Sequence, residues 1–306
     1  MNYGKKSVKQ KKKALQSTSS KLGRKCLLTF SKVLLLCVIA IGIIGICAGL
    51  GVFKGIIDSA PTITLEDATP TRYSSFIYDS KGNQMAKLIA EDSNRVPVTM
   101  DQIPTDLANA FVAIEDERFY QHNGIDIMGI LRAGVTAVKT GFKRQEGAST
   151  ITQQLIKNTV LTTWTQEKTL GERIKRKVQE QYLAIQLEKD TNDKSKILEQ
   201  YMNTINLGQN TLGVQAASKR YFNKNVWELS LSECATIAGI TQNPSRFNPL
   251  SENGRKRNEE KRRVILQYMY EQGKITKDEQ EEALADDVYS RIKNVDIVTK
   301  ETQTPY

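Results

Sequence analysis

Histidine is almost missing from this 306-residue chain, which has His122 as its single copy. One histidine excludes any histidine cluster and most histidine-based metal sites. A Ser-His-Asp triad would have to use His122, which lies inside a helical motif described below. Cysteine is equally sparse. Cys26, Cys37 and Cys47 lie in or beside an apolar run, so only Cys234 belongs to the rest of the chain. No disulfide can form within that part, and an exported domain without disulfides is more typical of a bacterium than of a eukaryotic secretory route. Cys234 sits in the apolar stretch LSLSECATIAGI and reads as a small core residue. Acidic residues are absent from positions 1–32, which hold ten Lys and Arg, whereas the whole chain has 44 Lys+Arg, 34 Asp+Glu and a net charge of +10. Residues 33–306 are therefore neutral overall. The basic excess belongs to a tail, which argues against a nucleic-acid binder, since the tail has no interleaved aromatics.

Residues 33–53, VLLLCVIAIGIIGICAGLGVF, are 21 uncharged residues between Lys32 and Lys54. As a helix they span about 30 Å, the thickness of a bilayer's hydrocarbon. A cleaved leader has a shorter apolar region and a briefer basic start, and no clean small-residue cleavage site follows here. The expectation is one uncleaved transmembrane helix with the N-terminus in the cytoplasm and residues 55–306 outside the cell. Gly45 and Gly49 form one G-x-x-x-G, a weak signal for helix pairing beside the blander reading of loose packing against lipid. The basic tail is expected to be disordered and drawn to anionic headgroups.

Residues 55–72 read as a polar stalk with Pro61 and Pro70. Alternation through Phe76 and Tyr78, the turn 79–83, and Met85, Leu88 and Val96 predicts a β-hairpin with a third short strand. From Pro104 the pattern turns helical. Helices are expected from 104 to about 120, at 127–140, after Ser149-Thr150, and at 169–189, where Leu170, Ile174, Val178, Tyr182 and Ile185 recur every three or four residues. Further helices are expected at 194–203, 213–222, 230–240, 253–272 and 276–286. The expected divisions are a basic tail at 1–32, the span at 33–53, a stalk with a small β element at 54–98, a mostly α domain at 99–288, and a linker or truncated end at 289–306.

Three constellations carry candidate chemistry. In AIEDERFYQHNGID (113–126), Glu115, Phe119 and His122 fall at i, i+4 and i+7, on one face of an extended helix. Glu115 there is a half-buried candidate general base; the bland alternative is a solvated acidic turn. In GASTITQQLIKN (147–158), Ser149 or Thr150 can cap a helix whose free amides suit a phosphate or sugar oxygen, with Gln153 within a turn and Lys157 two turns on. In RIKRKVQE (173–180), Arg173, Arg176, Lys177 and Glu180 share a helix face, which fits a diphosphate with an acid beside it, or a solvated basic face laced with ion pairs. Matches to K-T-G at 139–141, S-x-N at 251–253 and S-x-x-K at 290–293 run in reverse order for a serine acyl-transferase and read as chance.

Taken together, these blocks resemble the peptidoglycan glycosyltransferases, the family 51 transglycosylases found as monofunctional enzymes and as the N-terminal half of class A penicillin-binding proteins. The resemblance runs in order over about residues 95–250 and also includes ILEQYMNTINLG, GVQAASKRYFNK and LSECATIAGITQNPSRFNP. It implies a mostly α, lysozyme-like fold with a small subdomain against the membrane. It implies Glu115 as general base and Glu180 as second essential carboxylate. It implies substrate contacts from Asp116, Phe119, His122, Ser149, Thr150, Gln153, Gln154, Lys157, Arg176 and Lys177, and a structural role for Asn203. The implied reaction polymerises lipid II with inversion and releases undecaprenyl diphosphate. Whether Glu180 acts directly or through a divalent cation (Mg²⁺ or Mn²⁺) stays open, and no organic cofactor is implied. The implied partners are lipid II, the growing strand, the cytoplasmic membrane and other cell-wall synthesis proteins, with no nucleic acid. Other readings are a tethered lysozyme-like glycan-cleaving enzyme and a non-catalytic scaffold. No transpeptidase domain is expected within residues 1–306, and the chain reads equally as a monofunctional protein or part of a bifunctional one. Ala148 and Met202 depart from the family's usual Gly and Leu. The segment TVLTTWTQEK (159–168) looks longer than in compact members, with Trp164 either dipping into headgroups or covering the fold.

Overall fold

Lys, Gln, Ala and Leu are strong helix formers, and no Gly or Pro interrupts residues 5–15. In the computed structural model, which describes residues 4–15, 18–88, 94–141 and 147–292, this stretch is helix α1 (Lys5–Leu15). The expectation of a disordered tail is therefore corrected for these residues. Helix α2 (Thr18–Asp58) takes in the whole apolar run and the start of the expected stalk. Its stretch Lys25–Asp58 has 34 residues, contains an 18-residue window of mean hydropathy 3.0, and is long and apolar enough to cross a membrane. Leu36, Ile44 and Val52 are all more than half exposed on it, so the helix is apolar all round. These two helices form one unit, Met1–Ser59, and the rest of the chain forms a second.

In the second unit the remaining stalk residues are not free. Ile63 and Ala68 are buried in the core, and the Asp67 carboxylate accepts bonds from the Thr64 amide and hydroxyl at 2.8 and 2.9 Å. Strands β1 (Ser75–Tyr78) and β2 (Gln84–Leu88) pair antiparallel. Their turn is held by the Asp79 carboxylate, which accepts from the amides of Lys81 and Asn83, both at 2.8 Å. The expected third strand is not formed at 94–99, and residues 89–93 lie outside the described residues. That segment is drawn to another part of the fold. Leu212 donates its amide to the Asn94 carbonyl at 3.1 Å, and the buried Asn203 side chain accepts from the Val98 amide at 3.0 Å and donates to its carbonyl at 2.8 Å.

The rest is helical: α3 (Thr105–Glu115), α4 (Ile127–Lys139), α5 (Ile151–Thr159), α6 (Leu170–Thr191), α7 (Lys194–Thr204), α8 (Val214–Phe222), α9 (Leu231–Ala238), α10 (Glu252–Glu271) and α11 (Lys277–Ala285). Capping boxes start α6 at Thr169/Glu172, α9 at Ser230/Glu233 and α11 at Thr276/Glu279. α3 packs on α9 and α10, and α5 packs on α6 and α7. Leu107, Ala110 and Phe111 of α3, Ile151 and Leu155 of α5, and Cys234 of α9 are fully buried.

Two helices turn unexpected faces to solvent. On α6 the apolar positions Leu170, Ile174 and Ile185 are exposed, and Val178 and Tyr182 are half-buried. The buried stripe is Gln179, Glu180, Leu183, Ala184, Leu187 and Glu188. Charged residues won the interior because cations meet them there: Lys194 Nζ donates to Glu188 at 2.5 Å. On α4, Ile127, Leu131, Val135 and Val138 form one exposed apolar row.

Asn203→Ala removes both bonds to Val98 and leaves its buried amide unpaired. The unfolding free energy of the full chain in detergent, followed by fluorescence in urea, is expected to fall by about 2–3 kcal/mol.

Candidate active-site cleft

α3 stops at Glu115 because Asp116 leaves helical space (φ −159°, ψ 72°). The Asp116 carboxylate is buried, accepts from the Ile151 amide of α5 at 3.0 Å, and pairs with His122 Nε2 at 2.9 and 3.0 Å. The helix therefore does not run on to 120, and Glu115, Phe119 and His122 do not share a helical face. Phe119 enters the core instead. His122 lies edge-on to it with ring centres 6.3 Å apart, and Lys194 Nζ sits 4.6 Å from its centroid. The following turn presses Gly124 (φ +85°) onto α6, where a Cβ would lie 2.5 Å from the Ala184 carbonyl carbon. Only glycine fits there. The Gly124 carbonyl accepts from Thr150 Oγ1 at 2.8 Å and Gln153 Nε2 at 3.2 Å. Thr150 also caps α5 by accepting the Gln153 amide. The α5 amides of Ile151 and Gln153 are thus taken within the protein, so these two are not among the amides expected to be free for a ligand's oxygens.

Glu115, released at the helix end, is half-buried on the wall of a cleft of about 1060 Å³. Both of its oxygens are held by neutral donors. Thr241 Oγ1 donates to Oε1 at 2.5 Å, and Gln154 Nε2 donates to Oε2 at 3.0 Å. Gln154 is itself reached by the buried Tyr201 hydroxyl at 3.4 Å. Burial, reinforced by the negative charges of Glu115 and Asp116, pushes the Tyr201 phenol well above its usual range. Lys261 of α10 also lines the cleft and donates to Gln242 at 3.0 Å. Burial lowers its pKa, with the Glu115 charge opposing.

The cations gather around α6. Glu180 is 1% exposed. One of its oxygens takes Arg176 Nη1, and the other takes Lys177 Nζ at 2.9 Å. Lys177 also donates to Ser149 Oγ at 2.7 Å and Gln153 Oε1 at 3.0 Å, so one ammonium ties α5 and its cap to α6. Arg176 Nε donates to Glu167 at 2.6 Å. Burial works against the Arg176 charge, but its bonds to Glu167 and Glu180 prevail and raise its pKa. Lys157 lines the cleft with its Nζ 4.8 Å from the centroid of Trp164, another lining residue. Burial lowers its pKa, against the attraction of Glu180. Arg173 is exposed and contributes nothing to this cluster.

The fold thus brings Glu115, Asp116, Ser149, Thr150, Gln154 and Lys157 to the cleft wall. Phe119, Gln153 and Glu180 are buried behind it, His122 is half-buried, and Arg176 and Lys177 are half-buried about Glu180. Residues 142–146 lie outside the described residues. The sequence reading gave no role to Thr241 or Lys261, and none to Glu167. Thr241 lies inside a matched block without a chemical signature of its own. Lys261 is hidden in the charge-dense run 255–263, which reads as a solvated face. A divalent cation at Glu180 does not fit the donor set: both carboxylate oxygens are held by cations. Among the described residues no group of three or more His, Cys, Asp or Glu could hold a metal.

A lysine with a lowered pKa loses its charge at a lower pH than an ordinary one. Affinity for a polyvalent anion, measured with inorganic pyrophosphate, is therefore expected to fade on the alkaline side below the usual lysine range near 10.5. Lys157→Arg is expected to move that loss to higher pH, because a guanidinium stays charged there.

The transglycosylase family profile matches residues 81–270. The chain is 44% identical over 242 residues to a Clostridium botulinum penicillin-binding protein 1A, covering 77% of this chain and 28% of that protein. It is 42% identical over 220 residues to penicillin-binding protein 1A of Aquifex aeolicus, covering 72% and 28%. A crystal structure of Haemophilus influenzae penicillin-binding protein 1A aligns with TM-score 0.39 at 26% identity over 71% of this chain and 21% of that one. The chain spans less than a third of the length of these curated relatives. The profile takes in Glu115, the α5 cap, the cation cluster and Lys261, and the chain belongs to the transglycosylase family.

Proposed function

We propose that this chain is a membrane-anchored peptidoglycan glycosyltransferase that polymerises lipid II into glycan strands. The observation that carries the reading is Glu115, a carboxylate on the cleft wall with Thr241 and Gln154 fixing its two oxygens and with Lys157 on the same wall. Glu115 takes the proton from the 4-hydroxyl of the acceptor N-acetylglucosamine. That oxygen attacks the anomeric carbon of the donor chain's terminal N-acetylmuramic acid and inverts it. The bond from that carbon to the diphosphate breaks, and the undecaprenyl diphosphate departs with the electron pair. Lys157, Arg176 and Lys177 offset the charge that grows there, which a preorganised site does far better than water. Glu180 is a positioning residue in this scheme: it aims Arg176 and Lys177 and does not touch the substrate. A glycan-cleaving enzyme has no use for three cations beside its acid, so this cluster favours phosphate departure.

The anchor follows the substrate. Ten basic residues before the apolar span favour a cytoplasmic N-terminus, which puts the cleft on the side where lipid-linked disaccharide is polymerised. The exposed apolar row of α4 suits contact with that bilayer surface.

Full-length protein in detergent with fluorescent lipid II is expected to yield a ladder of glycans on a gel. Glu115→Gln is expected to lower the rate at least about a hundredfold, the size of a general-base contribution. An undiminished rate in that variant would sink the mechanism. Shortening of pre-made glycan in place of a ladder would favour the cleaving enzyme.

A further inference from the structure

The segment between α5 and α6 sits on two of the three cations. Residues Thr162–Gln166 form a 3₁₀ turn closed by Glu167. Trp164 lies over Lys157, 4.8 Å from Nζ to ring centroid. The Glu167 carboxylate accepts from Arg176 Nε at 2.6 Å, with side-chain exposures of 13% and 20%. A carboxylate on the Nε edge of a guanidinium fills a place that a phosphate's oxygens also use. The charges make the same point. Lys157, Arg176 and Lys177 are faced by Glu180 and Glu167. Glu180 is sealed beneath Arg176 and Lys177, but Glu167 reaches Arg176 from an otherwise exposed turn. Residues 162–166 are all exposed, with Trp164 at 39%, so the packing lost when the turn moves is chiefly that of Trp164 on Lys157.

We propose that Glu167, with Trp164 beside it, is an internal competitor for the anion site and raises the affinity that an anion needs to enter it: a diphosphate displaces it, and a weaker monovalent anion does not. This rests on the reading that these cations receive the substrate's diphosphate. A mere positioning role for Glu167 predicts the opposite sign, because removing it would then disorder Arg176 and weaken binding.

The test uses the full chain in detergent, titrated with inorganic pyrophosphate and separately with acetate as the monovalent anion. Glu167→Gln is expected to tighten pyrophosphate binding about threefold to tenfold, as expected for one nearby carboxylate charge removed in a partly screened site. Acetate is expected to gain no more than pyrophosphate does, and Glu167→Asp is expected to restore the original affinities. A second readout does not depend on that variant. The chain has two tryptophans, and Trp227 is 51% exposed, so Trp227→Phe isolates Trp164 fluorescence. Pyrophosphate is expected to change that emission as the ring leaves Lys157. Unchanged or weaker pyrophosphate binding in Glu167→Gln overturns the proposal, as does silent Trp164 emission on saturation. Lipid II polymerisation by the unmodified chain, assayed alongside, tests the parent reading separately: a ladder with either of those results fails the competitor alone, and no ladder fails the parent reading with it.

Discussion

The Asp116 carboxylate does three things that the site depends on. It leaves helical space, so α3 ends with Glu115 at the cleft. It accepts the Ile151 amide, which fixes the start of α5 against α3. It pairs with His122, which folds the following turn back so that Gly124 meets α6. The candidate base, the α5 cap and the α6 backbone thereby take their places around one buried acid. Such a group is favourable only while its partners stay in place, since removing one partner of a buried pair leaves an uncompensated charge.

The cation cluster follows the same logic. Glu180 holds Arg176 and Lys177 at fixed angles, and Lys177 passes the restraint on to Ser149 and Gln153. These positive charges are arranged in advance of any ligand. The arrangement is also indirect: the acid that shapes the cluster is itself shut away from the cleft. A carboxylate in that position has both of its oxygens already paired with the cations it arranges.

Most helices were legible in the sequence because caps and apolar spacing are local signals. α7, α8 and α10 fall within a residue or two of expectation, and Thr150 caps α5. What local pattern could not show is which competing partner a residue takes. Residues 94–98 alternate like a strand but are claimed by Asn203 and Leu212. The apolar stripe of α6 is exposed because Glu180 and Glu188 have cations waiting inside. The first motif keeps a helical rhythm that Asp116 breaks through a contact 35 positions away. At the site, residues in dense motifs were found, whereas Thr241, Lys261 and Glu167 acquire meaning only from what the fold sets beside them.

Cys234 carries a consequence for where such a unit can work. It is the one cysteine of the second unit, and it is wholly buried in α9. Burial, with Asp106 and Glu233 adding to it, pushes its thiol well above the ordinary range, and the thiolate is the form that oxidants and disulfides attack. This unit needs no oxidative folding machinery to reach its native state, and it offers no ready thiol to an oxidising environment afterwards.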